Sequence, residues 1–369
     1  MVRTGAHGYV KYGYELPTTF ATSSTTINKR FGLQEKISGW TINNNIQTLS
    51  ALNQTPYEKF AYGTQSGSIS LGFSLSNPFI FGALYGEPTT TTSSIPSPHN
   101  SGYHQHVYGT TLASTQPKVP RSLSIDVGFQ ALNTSDADHF EIRKLRGCIL
   151  NTLGLSASVG GLVEASTDFA YGNELAPHTD ATAPTSSPHN WQTSGNATYP
   201  SASSNFPYTF AHARLLWGGT SYTTNAVAQI QEVSIDFATN SELIYALNSH
   251  HAVSAVRKIF DITGRFRSVK RDSSKVQHLI DQITQSAYSE TIDNTDSAVK
   301  LEILFSRQNT SGAPQQDFIK IEGYGLTPTE YSTGMEPAEL VTEEVPWRIK
   351  FAKVTAMTSE TTAAATIGV

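Results

Sequence analysis

The residues with obvious chemical potential are histidines and acids in polar stretches. His104 and His106 lie two apart in GYHQHVYG, a spacing that places two imidazoles on one side of an extended chain. His99 shares that stretch, and His178 and His189 lie in a second one. No cysteine or paired carboxylate stands near enough in sequence to complete a metal site, so these read as solvent-facing loop histidines. His250 and His251 are adjacent. Neighbouring side chains on a strand point opposite ways, so a turn is expected there rather than joint ligation. Asp136, Asp138 and His139 in TSDADHF read as turn chemistry at a hairpin tip. The single cysteine, Cys148, sits in the apolar run CILNTLGL and reads as a small buried hydrophobe. No phosphate loop, nucleophile elbow, EF-hand or dinucleotide fingerprint is present. The expectation is a chain without catalytic residues, cofactor or metal.

A second set of acids is more informative. Asp126, Glu141, Glu232, Asp236, Glu302 and Glu322 lie in runs where charged and apolar residues alternate. In EVSIDFA, Val233, Ile235 and Phe237 take one face, and Glu232, Ser234 and Asp236 the other. That is the period-two pattern of a half-buried strand. The acids then line either a solvated sheet face or the wall of a channel. Alternation alone does not say which.

The chain has 369 residues and 40.0 kDa, enough for about two domains. Only 15% of residues are charged, the net charge is −5 and the pI is near 6.1. Without a basic excess the chain is a poor candidate for wrapping nucleic acid, which needs clustered Lys and Arg. Ser, Thr, Gly and Asn make up the balance, as in β-rich virion or extracellular proteins. MVRTGAHGYVKYGYE lacks the apolar core of a signal peptide, and no run approaches the ~20 apolar residues of a membrane span. The expectation is a soluble protein made in a host cytoplasm.

Element by element, residues 1–32 read as an N-terminal arm and 33–172 as a β-rich unit interrupted by a long Pro/Ser/Thr loop at 87–120. Residues 173–206 read as a linker, 207–357 as a second β-rich unit and 358–369 as a tail. A short helix is expected over about 78–85, capped by Ser76 or Asn77 with Pro78 in its first turn. A second helix is expected after Asp272 or Ser273, with Val276, Leu279 and Ile280 on one stripe.

The two units repeat one another. ISGWTIN (37–43) matches IQEVSID (230–236), 193 positions on. GSISLGFSLS from Gly67 matches GRFRSVKR from Gly264. SLSIDVGF matches KLEILF with Leu123 against Leu301, and Phe140/Phe318 and Gly147/Gly325 keep the same spacing of 178. Between Phe140 and Gly147 the alternation fits only after a one-residue shift, which a bulge would supply.

These blocks in this order resemble the tail tube proteins of tailed bacteriophages and related archaeal viruses. The likeness runs over roughly 35–356 and rests on GSISLGFSLSNPFIFGALYG, SLSIDVGF, LRGCILNTLGLSASVGGLVEASTDFAYG, FAHARLLWGG, EVSIDFATNSELIYAL, ITGRFRSV and WRIKFAKVTAM. The resemblance implies a mainly β fold of two tandem tube-like sandwich or barrel units, each with a short flanking helix. Strands of neighbouring subunits would close a large β-barrel channel. It implies a structural virion protein without enzymatic activity, whose partners are its own copies, the tape measure, the terminator, the baseplate or tip, and in some tails a sheath. No membrane is involved, and DNA passes through without specific binding. Two units per chain point to a homotrimeric, pseudo-sixfold ring, with the six acids above as candidates for the lumen. The competing expectation is another virion or surface β-module, such as a baseplate, sheath or glycan-binding protein. Exposed loop aromatics (Tyr103, Tyr108 and Trp191) would favour it.

Overall fold

The computed structural model describes residues 3–15, 20–21, 27, 29–50, 59–61, 63–91, 103–109, 121–131, 140–175, 207–217, 227, 229–270, 299–307, 317–334 and 340–358. The first half holds β1 (Arg3–Tyr14), β2 (Gly32–Asn43), β3 (Gln47–Leu49), β4 (Lys59–Ala61), β5 (Ser66–Leu75), α1 (Phe81–Tyr85), β6 (Thr89–Thr91), β7 (His104–Tyr108), β8 (Leu123–Ala131), β9 (Phe140–Ser158) and β10 (Glu164–Leu175). The second half holds β11 (Thr209–Trp217), β12 (Ile230–Ala238), β13 (Glu242–Tyr245), β14 (Ala252–Val256), β15 (Asp261–Val269), β16 (Val299–Arg307), β17 (Asp317–Tyr324), β18 (Thr327–Pro328), β19 (Ser332–Gly334), β20 (Thr342–Ile349) and β21 (Phe351–Thr358).

Eleven strands form one long antiparallel sheet with the path β18-β20-β15-β12-β9-β10-β5-β2. β19 joins β20, and β8 and β1 branch from β9. The sheet crosses from one half of the chain to the other where β12 pairs with β9 from Glu232↔Ser158 to Ala238↔Thr152. A six-stranded sheet, β11-β16-β17-β21-β7-β6, packs against it. Among the described residues neither sheet closes on itself. β2 pairs only with β5, and β18 and β19 only with β20, so the main path of the long sheet ends in two open edges, while its branch ends in β1.

Alternation builds the core. Ile69, Leu71 and Phe73 of β5, Leu153 and Leu155 of β9, and Val233, Ile235 and Phe237 of β12 are buried on one face. Aromatic contacts join the layers. Tyr12 and Phe31 lie 4.4 Å apart, Trp217 and Phe266 5.1 Å, and Phe81 of α1 meets Phe237 at 6.1 Å, distances at which ring quadrupoles add to burial. A buried Arg307–Asp317 pair at 2.5 Å takes a third bond from the Tyr208 hydroxyl and ties Arg307 to the Ser76 carbonyl. Such a pair is sustained only when its remaining polar atoms are satisfied.

The two halves use the same pairings. β1–β8, β8–β9, β9–β10, β10–β5 and β5–β2 in the first have counterparts β11–β16, β16–β17, β17–β21 with β18–β20, β20–β15 and β15–β12 in the second. Rare backbone states recur with them. Gln34 and Gln229 have φ of 53° and 54°, Asn45 and Asn240 have 46° and 48°, and Gly147 and Gly325 have 63° and 65°. The amide of Asn45 donates to the Thr64 carbonyl at 2.8 Å, and that of Asn240 to the Ile259 carbonyl at 2.9 Å, each 19 residues ahead. Left-handed non-glycine residues are uncommon and cost energy, so their recurrence reflects a shared chain path.

Several expectations change in detail. The helix over 78–85 is a single turn, Phe81–Tyr85. Asn77 works just ahead of it, its Oδ1 accepting from Phe79 N at 3.2 Å. The second helix lies outside the described residues. The expected N-terminal arm contains a twelve-residue strand, Arg3–Tyr14, with Val10, Tyr12 and Tyr14 buried at period two. The 87–120 loop contributes β6 and β7, because His106 and Tyr108 alternate inward against β21. Residues 173–175 of the expected linker continue β10.

Candidate functional site

The outer face of the long sheet is polar. Near the joint it forms a trough of about 670 Å³ floored by Gly154, Ser156, Ser166, Ser234 and Thr263 and flanked by Asp236 and Arg265. A Cβ at Gly154 would fall 2.7 Å from Asp236 Oδ1, so Asp236 takes its present position only because residue 154 has no side chain. Burial raises the Asp236 carboxyl pKa, and the Arg265 charge opposes that rise. Arg265 reaches Glu232 at 3.0 Å and Glu344 at 3.3 Å on the two flanking strands, and Arg348 meets Asp261 at 3.2 Å. In the first half the same face carries fewer charges, with Lys36 of β2 and Glu164 and Asp168 of β10 set among serines and glycines. Ser66, Ser68, Ser70 and Gly72 of β5 face Ser166, Asp168 and Ala170 of β10. Ser70 donates to Asp168 at 2.7 Å.

The acids singled out in the sequence separate into groups. Glu232 and Asp236 share the polar face of β12. Glu302 and Glu322 sit opposite each other in the second sheet and are largely buried. Glu322 is held by Lys320 at 3.0 Å and Lys353 at 3.2 Å. Asp126 on β8 pairs with the buried Arg146 at 2.8 Å, and Glu141 lies in β9 opposite Phe129. Arg265, Arg267 and Glu344 also belong to the charged face and are not among the residues expected from the sequence. The i, i+2 arginines of GRFRSVKR were the available signal.

Two hairpins project from the long sheet. β3–β4 joins β2 to β5, and β13–β14 joins β12 to β15. They carry exposed apolar side chains, among them Ile46, Leu49 and Phe60 on the first and Ile244, Leu247 and Val253 on the second. The hairpins touch one another: Gln65 N donates to the His250 carbonyl at 2.7 Å, and the Tyr245 hydroxyl to the Gln65 carbonyl at 2.8 Å. Exposed apolar surface concentrated in this way marks an interaction site.

Among the described residues no three His, Cys, Asp or Glu groups converge on one point. Tyr103 and Tyr108, the aromatics that a glycan-binding module would expose, are 8% and 1% exposed, and Trp191 lies outside the described residues. No described helix is long and apolar enough to cross a membrane. What the described residues offer is a polar sheet face, open strand edges and apolar hairpins, all suited to assembly. No curated protein matches the chain. A family model described as phage tail tube protein matches residues 42–349, spanning both halves of the long sheet. The chain therefore belongs to the phage tail tube protein family and is a structural component of the virion tail.

Proposed function

We propose that three copies of this tail tube protein close into a pseudo-sixfold ring, that rings stack into a tube, and that the polar face of the long sheet lines the channel through which DNA is delivered. The carrying observation is the repeat of backbone geometry. Asn45 and Asn240 share a left-handed conformation and a hydrogen bond to the carbonyl 19 residues ahead. These positions lie 195 apart, as do Gln34 and Gln229. Such matches support a tandem duplication, with units near 33–172 and 207–357 joined through 173–206.

The ladders refine the sequence alignment. Trp40 opposite Ile69 corresponds to Ile235 opposite Gly264, a spacing of 195 rather than 193. Ile125 opposite Leu145 corresponds to Leu301 opposite Gly323, a spacing of 176 rather than 178. Both differences are two residues, which keeps every side chain on its face. Register irregularities in β2 and between Leu123 and Ile125 account for the changed spacing.

A chain with two units and a strand-paired joint between them already contains one junction of a ring. Repeating that junction between chains removes both open edges, which otherwise invite uncontrolled association. Three tethered pairs also lose less association entropy than six separate units. The exposed apolar hairpins supply the surface on which the next ring stacks. In the channel, Glu232 and Asp236 are the lumen acids this reading retains. The arginines beside them are held by cross-strand carboxylates, which lowers their hold on phosphate. Tape measure, terminator and baseplate or tip proteins then bind the tube ends. Electron microscopy of the purified chain tests the reading. Rings or tubes with a central channel are expected, and monodisperse particles without a channel across salt and concentration would overturn it.

A further inference from the structure

We propose that the open edge of β2 pairs antiparallel with residues 330–334 of a second copy, in the register that β12 and β9 use inside the chain. This rests on the ring reading above and adds the residue-by-residue joint. Inside the chain, Ser234 lies opposite Ser156, Ile235 opposite Leu155, Asp236 opposite Gly154 and Phe237 opposite Leu153. Among the described residues, each side of that joint has a counterpart strand whose outer edge pairs with no other strand.

On one side, β2 occupies the place of β12. Trp40 and Ile42 sit opposite Ile69 and Gly67 of β5, as Ile235 and Phe237 sit opposite Gly264 and Ile262 of β15. On the other side, residues 328–334 occupy the place of 150–156 in β9, 178 positions earlier. Ser332 and Gly334 lie opposite Glu344 and Thr342, as Gly154 and Ser156 lie opposite Ser166 and Glu164. Both segments skip one residue at the same point. In β9 the skip falls between Leu150, opposite Phe169, and Thr152, opposite Asp168. In the second half it falls between Pro328, opposite Trp347, and Ser332, opposite Glu344. A shared bulge fixes which residues face the neighbour.

Carrying the internal joint onto these two edges sets Gly39 opposite Gly334, Trp40 opposite Thr333, Thr41 opposite Ser332 and Ile42 opposite Tyr331. Burial agrees with this. Phe237, inside the internal joint, is 0% exposed, whereas Ile42 at the matching place is 45% exposed. The internal joint is clamped where Thr239 N donates to the Asn151 carbonyl at 2.8 Å. Asn44 and Thr329 hold the matching places at the open edges. A slip of one residue would set core-facing Trp40 and Ile42 opposite residues of the neighbour that face the polar side, so the register is specified by burial. The joint is heterologous, and a heterologous joint that closes makes a ring.

Double-cysteine cross-linking tests this. The native Cys148 is buried. Directly opposed residues in an antiparallel pair have Cα atoms about 4.5–5.5 Å apart, within disulfide range. Rings of Thr41→Cys/Ser332→Cys, formed under reducing conditions and then oxidised, should give a covalent ladder ending at three chains. The yield should exceed that of Asn43→Cys/Gly334→Cys by at least ~10-fold, because that pair is ~13 Å out of register. Ile42→Cys/Tyr331→Cys repeats the test if the first pair fails to assemble. Rings that cross-link only in the out-of-register pair, or in neither in-register pair, would overturn the joint and leave the ring reading standing. Absence of rings from the unsubstituted chain would overturn both.

Discussion

The two halves of the long sheet agree on their buried face and differ on their open one. Ile69, Leu71 and Phe169 in the first half are buried like Phe266 and Trp347 in the second. On the polar face, Ser66, Ser70, Gly72, Ser166 and Ala170 of the first half stand where Asp261, Arg265, Arg267, Glu344 and Arg348 stand in the second, judged by ladder position. Packing tolerates little change in volume or direction, whereas a solvated face tolerates almost any polar residue. The charges that differ have also arrived as cross-strand pairs, such as Arg265 with Glu232 and Glu344. Under the ring reading, sparsely charged and densely charge-paired sectors alternate around the channel, giving it threefold rather than sixfold electrostatics.

The largest expected contrast is between the internal joint and the open edge. Phe237→Ala should destabilise the isolated chain by about 3–5 kcal/mol, the cost of emptying a fully buried aromatic site. Ile42→Ala, at the matching but exposed place, should cost well under that in the isolated chain while lowering ring yield. Urea titration of both variants at a concentration below assembly separates them, and equal costs would mean the β2 edge is not open. Next come Gly147→Ala and Gly325→Ala. Both glycines are left-handed, so each variant should lose about 1–2 kcal/mol by thermal denaturation. A neutral result at one and a loss at the other would break the equivalence of the halves.

A smaller effect concerns pH. Glu35 on β2 is pushed up to about 7 from a usual 4.5, chiefly by burial, against the backbone N–H of Gly32 and Phe31 and the charge of Arg30. The folded chain therefore binds this proton more tightly than the unfolded one. Its contribution to stability is complete below the unfolded pKa and is lost as pH rises through about 7. Stability measured from pH ~5 to ~8 should fall by at most about 1.4 kcal/mol per unit from this group, and Glu35→Gln should flatten that slope. An unchanged slope would remove Glu35 as its source. The smallest effect on stability belongs to Glu232→Gln with Glu344→Gln, within about 0.5 kcal/mol for a solvated face. Yet the freed Arg265 should slow DNA passage in an ejection assay, increasingly so at low salt. Normal ejection would argue against a lumen position.

Much of this was legible in the sequence because period-two burial is a strong signal. Val233, Ile235 and Phe237 point inward as their alternation requires. The first strand is harder to read although Val10, Tyr12 and Tyr14 alternate in the same way, since the glycines and histidine around them dilute the pattern. β6 and β7 were hidden by their Pro/Ser/Thr surroundings, and only tertiary pairing with β21 makes His104–Tyr108 a strand. The acids were the least legible part. Alternation identified Glu232 and Glu302 equally, but Glu302 lies in the second sheet and is 6% exposed, while the Glu232 side chain is 37% exposed on the open face. Which layer a strand joins depends on contacts distant in sequence, and no local pattern encodes that.

The most direct test of the central claim is electron cryo-microscopy of assembled tubes without imposed symmetry. The account predicts rings of three 40.0 kDa chains. They should look sixfold at low resolution and resolve into threefold symmetry as the two kinds of sector separate. Rings of six whole chains with true sixfold symmetry would contradict it.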